Sequence, residues 1–168
     1  MILALLATAA PASAEVLGGV TRLAVVVDLA HPVDGVTADE LRRRLAAVAG
    51  GRAPAVTLDD GSADRLLLTV AVRPQSASAL RGFWLPFSGT YAIGTVRLGL
   101  ERAVHLPGQA PRTVSAIVWQ RERVVATRWS AAGAAITSAL QELLDDLLPP
   151  GPGSPEPAGG SSVPPRHR

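Results

Sequence analysis

The chain contains no cysteine, no lysine and no asparagine, and only six of its 168 residues are aromatic. Without cysteine there is no disulfide, no thiolate metal site, no cysteine nucleophile and no cysteine on which an N-terminal lipid anchor could be built. Without lysine, all sixteen basic residues are arginine, a group that does not titrate near neutrality, and this inflates the sequence pI of about 10.3. The formal charge is only +2, so the pI is no argument for nucleic acid, and no nucleic-acid partner is expected. The missing residue types read together as the coding bias of a GC-rich genome.

Hydrophobic runs long enough to span a bilayer are also missing. The one early apolar run, Ile2 to Ala10 in "MILALLATAAPASAE", is followed by a proline and the small-x-small triplet Ala12-Ser13-Ala14 before Glu15. That is the h-region and cleavage site of a secretory signal peptide, although a charged n-region does not precede it. Residues 1–14 are therefore expected to be a signal peptide, and the mature chain to be exported, periplasmic or secreted. At the other end, Pro149 to Arg168 holds seven prolines, four glycines and three serines. Such a composition cannot bury enough surface to offset its ordering entropy, so a disordered tail is expected over 149–168. The domain is then 15–148.

Within it, Val20 to Leu29 alternates Leu23, Val25, Val27 and Leu29 as a strand does. "HPVDG" is a turn. "VTADELRRRLAAVAGG" predicts an amphipathic helix. Thr37 and Glu40 form a capping box, Val36 and Leu41 a hydrophobic staple, and Leu41, Leu45 and Val48 the apolar stripe; Gly50 reads as the stop. Asp39–Arg43 and Glu40–Arg44 are i,i+4 pairs. Pro54 to Leu58 suggests a short edge strand, and Arg65 to Arg73 a central strand, apolar on both faces. Gly89 to Leu106 reads as a long strand with Val96, Leu98 and Leu100 facing in and Arg97 and Glu101 facing out. "RTVSAIVWQ" and "RVVATRW" read as a strand pair turning near Arg121 to Arg123. Ser130 is placed to cap a last helix with the stripe Ile136, Leu140, Leu143, Leu147. The order β-α-β-β-β-β-α predicts an α+β two-layer sandwich: a mostly antiparallel sheet of four to five strands with two helices on one face.

Four features carry a resemblance: the helix start Gly35 to Leu41, the long strand Tyr91 to Leu100, the pair Val118-Trp119 at a strand end, and the terminal helix Ile136 to Leu148. On these the run Val20 to Leu148 resembles a family of uncharacterised exported bacterial proteins. The element order is more distantly similar to periplasmic auxiliary lipoproteins of ABC transport systems and to the amino-terminal domain of the Tol translocation protein. The resemblance implies an envelope location and the same α+β fold. It carries over no functional residue, and the absent lipobox cysteine departs from the lipoproteins.

Reactive groups do not converge. His31, His105 and His167 share no ligand spacing, and a zinc site needs three or four convergent ligands. "DDGSAD", Asp59 to Asp64, lacks the EF-hand spacing and reads as a turn. Ser88 lies outside any G-x-S-x-G elbow. A triad of His31, Asp34 and Ser88 has nothing but residue type in its favour. Arg42, Arg43 and Arg44 fan over about 200° of a helix, as a solvated face does. No catalytic residue, metal or cofactor is expected.

The remaining concentration is "RGFWLPFSGTY", which holds Phe83, Trp84, Phe87 and Tyr91, four of the six aromatic residues. Pro86 bars regular ladder pairing. These rings either close one end of the core or form a small apolar patch for a partner. The second reading makes Phe83, Trp84, Leu85 and Phe87 candidate partner-binding residues for an envelope protein or a lipid. The function expected is an exported, non-enzymatic accessory or binding module of the bacterial envelope. The alternative is an envelope hydrolase or small-molecule-binding enzyme using dispersed Asp, Ser and His.

Overall fold

The structure, a computed structural model, describes residues 17–76, 89–106 and 112–149. Strand β1 (Arg22–Leu29) leads through a turn into helix α1 (Ala38–Arg52); strands β2 (Thr57–Leu58), β3 (Arg65–Ser76), β4 (Thr90–Leu106) and β5 (Arg112–Arg128) follow. A short 3-10 turn (Trp129–Ala131) then opens helix α2 (Ala132–Leu147). The sheet order is β2-β1-β3-β4-β5, with β1 parallel to both its neighbours and β3, β4 and β5 antiparallel. The fold is thus the α+β sandwich that the element order predicts, on a mixed five-stranded sheet.

The turn before α1 closes through Val36 N–H donating to Val33 O at 3.0 Å, with Gly35 at φ 74°. Thr37 Oγ1 accepts from Glu40 N–H at 3.2 Å, satisfying one of the donors that a helix start leaves open. Val33 and Val36 are buried in the same core as Leu41 and Leu45, so the entry angle is fixed by burial as well as by the cap.

Both helices lie on one sheet face, α1 against β1 and α2 against β4 and β5. Leu41, Leu45 and Ala49 of α1 and Ile136, Leu140, Leu143, Leu144 and Leu147 of α2 meet Leu23, Val25, Leu66, Leu68, Val70, Val72, Val96, Leu98 and Leu100. Each fully buried Leu or Ile contributes roughly 1.5–3 kcal/mol. The helix C-termini are tied together by Arg52, whose Nη1 donates to Asp145 and, at 2.8 Å, to the carbonyl of Leu148.

Several local expectations are corrected. Residues 112–128 form one continuous strand, not a pair turning at Arg121–Arg123. The charged triplet lacks a turn former, and two of its side chains find partners with the strand extended: Glu122 with Arg97 on β4, Arg123 with Glu142 and Asp146 on α2. Helix α1 does not stop at Gly50 but runs through Gly51 to Arg52, whose bonds to α2 hold the last turn. Arg43 pairs with Glu40 rather than with Asp39, because Glu40 accepts from both Arg43 and Arg44. Ser130 lies in the 3-10 turn, and the N-cap of α2 is Ala131, with no side-chain cap bond. Val118-Trp119 is mid-strand, at a bulge: Leu100 pairs with Trp119 and Glu101 with Ile117, so Val118 is the extra residue.

Candidate interaction surface

Because side chains alternate across a strand, the residues of β1 and β3–β5 that do not meet the helices form a second face. The register sets them in rows. One row is Val26, Leu67, Gly99, Gln120; the next is Asp28, Thr69, Arg97, Glu122; beyond lie Ala71, Thr95, Val124 and then Arg73, Ile93, Ala126. Among the described residues no helix covers this face. Val26 is 39% exposed and Val124 76%, whereas Leu67, Thr69, Ile93 and Thr95 are half-buried among neighbours. The polar row is closed by Arg97, which donates to Glu122 through Nε at 2.8 Å and lies 2.6 Å from it through Nη2.

At one end of this face sits Tyr91, paired in register with Gln75 and Arg128. It is only 8% exposed, yet it does not belong to the core under the helices. Phe83, Trp84, Leu85 and Phe87 lie outside the described residues, as does Ser88. Their segment joins Ser76 to Gly89, and Ser76 and Thr90 are register partners, so it connects two neighbouring strands at the Tyr91 end of the sheet.

At the other end, β3 stops pairing with β4 at Glu101, and β4 and β5 continue as a two-stranded ribbon. Its root is anchored: Ala103 N–H donates to Asp64 Oδ1 at 3.1 Å, and Arg102 Nη1 donates to Gly18 O at 3.0 Å. The ribbon carries His105, exposed, with Nδ1 2.9 Å from the hydroxyl of its cross-strand partner Thr113.

The dispersed reactive residues are not gathered. His31 and Asp34 are both exposed around the turn before α1, and no hydrogen bond joins them among the described residues. Asp59 caps its own turn by accepting from Gly61 N–H at 3.0 Å and pairs with Arg22 at 3.6 Å. Asp64 N–H donates to Ser62 Oγ at 3.2 Å in the same turn, and the Asp64 carboxylate accepts from Ala103 N–H of β4 and lies 3.9 Å from Arg102 Nε. Among the described residues no three histidine or acidic side chains are grouped as a metal would require. An open groove of about 660 Å³ runs between the helices past Asp34, Arg44, Ser130, Thr137, Ser138 and Gln141. Its two long polar side chains are engaged, Arg44 by Glu40 and Gln141 by Asp145. A cleft of about 400 Å³ at the helix C-termini is aliphatic apart from Arg52. The Glu40 carboxyl is held below its ordinary pKa of 4.5, first by the hydrogen bond from Arg44 and then by the charge of Arg43.

Sequence reasoning missed the long exposed edge of β5. The signal was present in a run of β-branched residues with neither glycine nor proline, Arg112 to Arg128, but the triplet Arg121–Arg123 masked its continuity.

No helix among the described residues is long and apolar enough to cross a membrane. No protein-family model matches the chain, and no curated protein does. A crystal structure of a minor lipoprotein from Acinetobacter baumannii matches over 76% of this chain and 81% of its own, with 17% identity and a TM-score of 0.28. A likeness of that size carries no functional argument.

Proposed function

We propose that the chain is an exported, non-enzymatic binding module of the bacterial envelope, which meets a protein partner through Phe83, Trp84, Leu85 and Phe87 and the sheet face beside Tyr91. The observation that carries this reading is the asymmetry of the sheet: two helices bury one face, and the other keeps Val26 and Val124 in solvent. Aromatic side chains are the usual anchors of protein interfaces, and this chain concentrates them on the connection between β3 and β4. The segment Ile2–Ala14 supports export through its apolar run and small-x-small ending.

The test pairs a stability measurement with a capture measurement. Trp84→Ala in the tagged chain should leave Tm within a few degrees of the parent while removing the envelope protein that the parent retains. A loss of stability of the size that deleting a buried tryptophan gives, about 3–5 kcal/mol, would assign Trp84 to the core and overturn the reading.

A further inference from the structure

We propose that the outer edge of β5 is a strand-addition site, which takes an extended segment of another protein with an acidic residue opposite Arg121. The inference rests on the reading of the chain as a binding module, and it uses none of residues 83–87.

A strand at the end of a sheet presents unpaired N–H and C=O groups on its outer side, and proteins guard such edges with short strands, proline, lysine, bulges or inward charges. The two edges of this sheet differ sharply. β2 is two residues long, whereas β5 is 17 residues long with no proline and no lysine, and among the described residues it has one sheet neighbour, β4. The bulge at Val118 interrupts it once and leaves Trp119–Arg128 as an unbroken run in register with Leu100 to Tyr91. The side chains beside the edge are open to solvent: Ile117 is 56% exposed, Val118 47% and Val124 76%.

Two of the charges that could protect this edge are drawn away from it. Glu122 is held by Arg97 on β4, and Arg123 donates to Glu142 at 3.1 Å and to Asp146 at 2.8 Å on α2. Arg121 is exposed and has no ion pair among the described residues. An added strand would gain main-chain bonds along the edge, apolar contact beside Val124 and a cation to pair with. A second copy cannot supply that anion, because symmetric antiparallel pairing keeps each strand face with itself and Glu122, the acidic residue of β5, lies on the face opposite to Arg121. Antiparallel pairing centred on Glu122 sets Glu122 against Glu122 and Arg121 against Arg123, and centring on Arg121 sets arginine against arginine; like charges directly opposite are destabilising. The partner that fits is therefore a different polypeptide, β-branched at alternate positions and acidic near its middle.

The probes are the blocked peptides TVTVEVTVT and TVTVRVTVT, titrated onto the full chain and read by a binding isotherm and by amide hydrogen exchange. The glutamate peptide should slow exchange along β5 and bind about two- to fivefold tighter than the arginine peptide, the range of a cross-strand ion pair. Arg121→Glu should reverse that order. No slowing along β5, a preference that does not follow residue 121, or a dimer that protects β5 without peptide would each overturn the inference. Trp84→Ala should leave peptide binding unchanged, so envelope capture lost in that variant with peptide preference intact upholds both proposals. Capture retained in Arg121→Glu alongside a preference that fails to reverse removes the β5 site alone.

Discussion

At Gly94 the side chain is excluded by the neighbouring strand. A Cβ built there would run into the carbonyl oxygen of Ala71 and lie 2.6 Å from the Cα of Val72, both main-chain atoms that cannot swing aside. Gly94→Ala should therefore cost about 3 kcal/mol, the upper range of overpacking changes, and thermal or denaturant unfolding would measure it. Unchanged stability would mean that β3 and β4 are not held at that spacing. Nothing in "YAIGTVRL" distinguishes this glycine from one tolerated by chance, because the clash belongs to a residue more than twenty positions away. Glycine at position 35 is different: the tight turn in "HPVDGV" implies a residue free to take positive φ, and Gly35 takes φ 74°. The reactive side chains were legible in the same limited way. Residue type and spacing gave His31 and Asp34 no partner, and the structure leaves both exposed around the turn before α1.

Among the elements, α1 was the most legible, because its start is written in adjacent residues. The Thr37 cap, the buried Val36 and Leu41, and the Glu40–Arg44 pair all lie within a few positions of one another. Its end was misread because the stop is supplied by α2, through Arg52 to Asp145 and Leu148, and no local pattern reports a contact from another helix. The same cause explains Arg121–Arg123. Three charges in a row resemble a turn until Arg97, Glu142 and Asp146 are brought alongside. The α1 cap also has a pH signature. Glu40 has its folded pKa below the ordinary 4.5, so its contribution is present above that value and fades as the pH falls through the lower folded pKa. Glu40→Gln should melt slightly below the parent at pH 7, and the gap should close as the pH falls through the folded pKa, on the acid side of 4.5. Parallel Tm–pH curves, with a constant gap down to acid, would show that the Arg43 and Arg44 contacts do not hold the carboxylate in its charged form.

For the whole molecule, alternation in the strands foretold a covered and an uncovered face but not how the strands are arranged. The central place of β3 was legible, since Leu66, Leu67 and Leu68 are apolar on both sides. The parallel pairing of β1 with β3, and the extension of β4 and β5 beyond their neighbour, depend on register, which no single strand specifies. That extension divides the molecule into parts of unequal protection. Leu66 to Val70 and Val96 to Leu100 have a strand on each side and two helices above, so their hydrogen bonds open only when the domain does. Beyond Ala103 the ribbon has neither among the described residues: Val104 pairs with Val114, Leu106 is 48% exposed, and a two-stranded ribbon is marginal in water. Native-state amide exchange should accordingly show the central amides closing with the global unfolding free energy. Those of Val104 to Leu106 and Thr113 to Ser115 should exchange orders of magnitude faster and respond little to denaturant. Equal protection in the two groups would mean that the ribbon is packed against something more than its own two strands, and the anchoring bonds at Asp64 and Arg102 would then mark the start of a contact surface and not its limit.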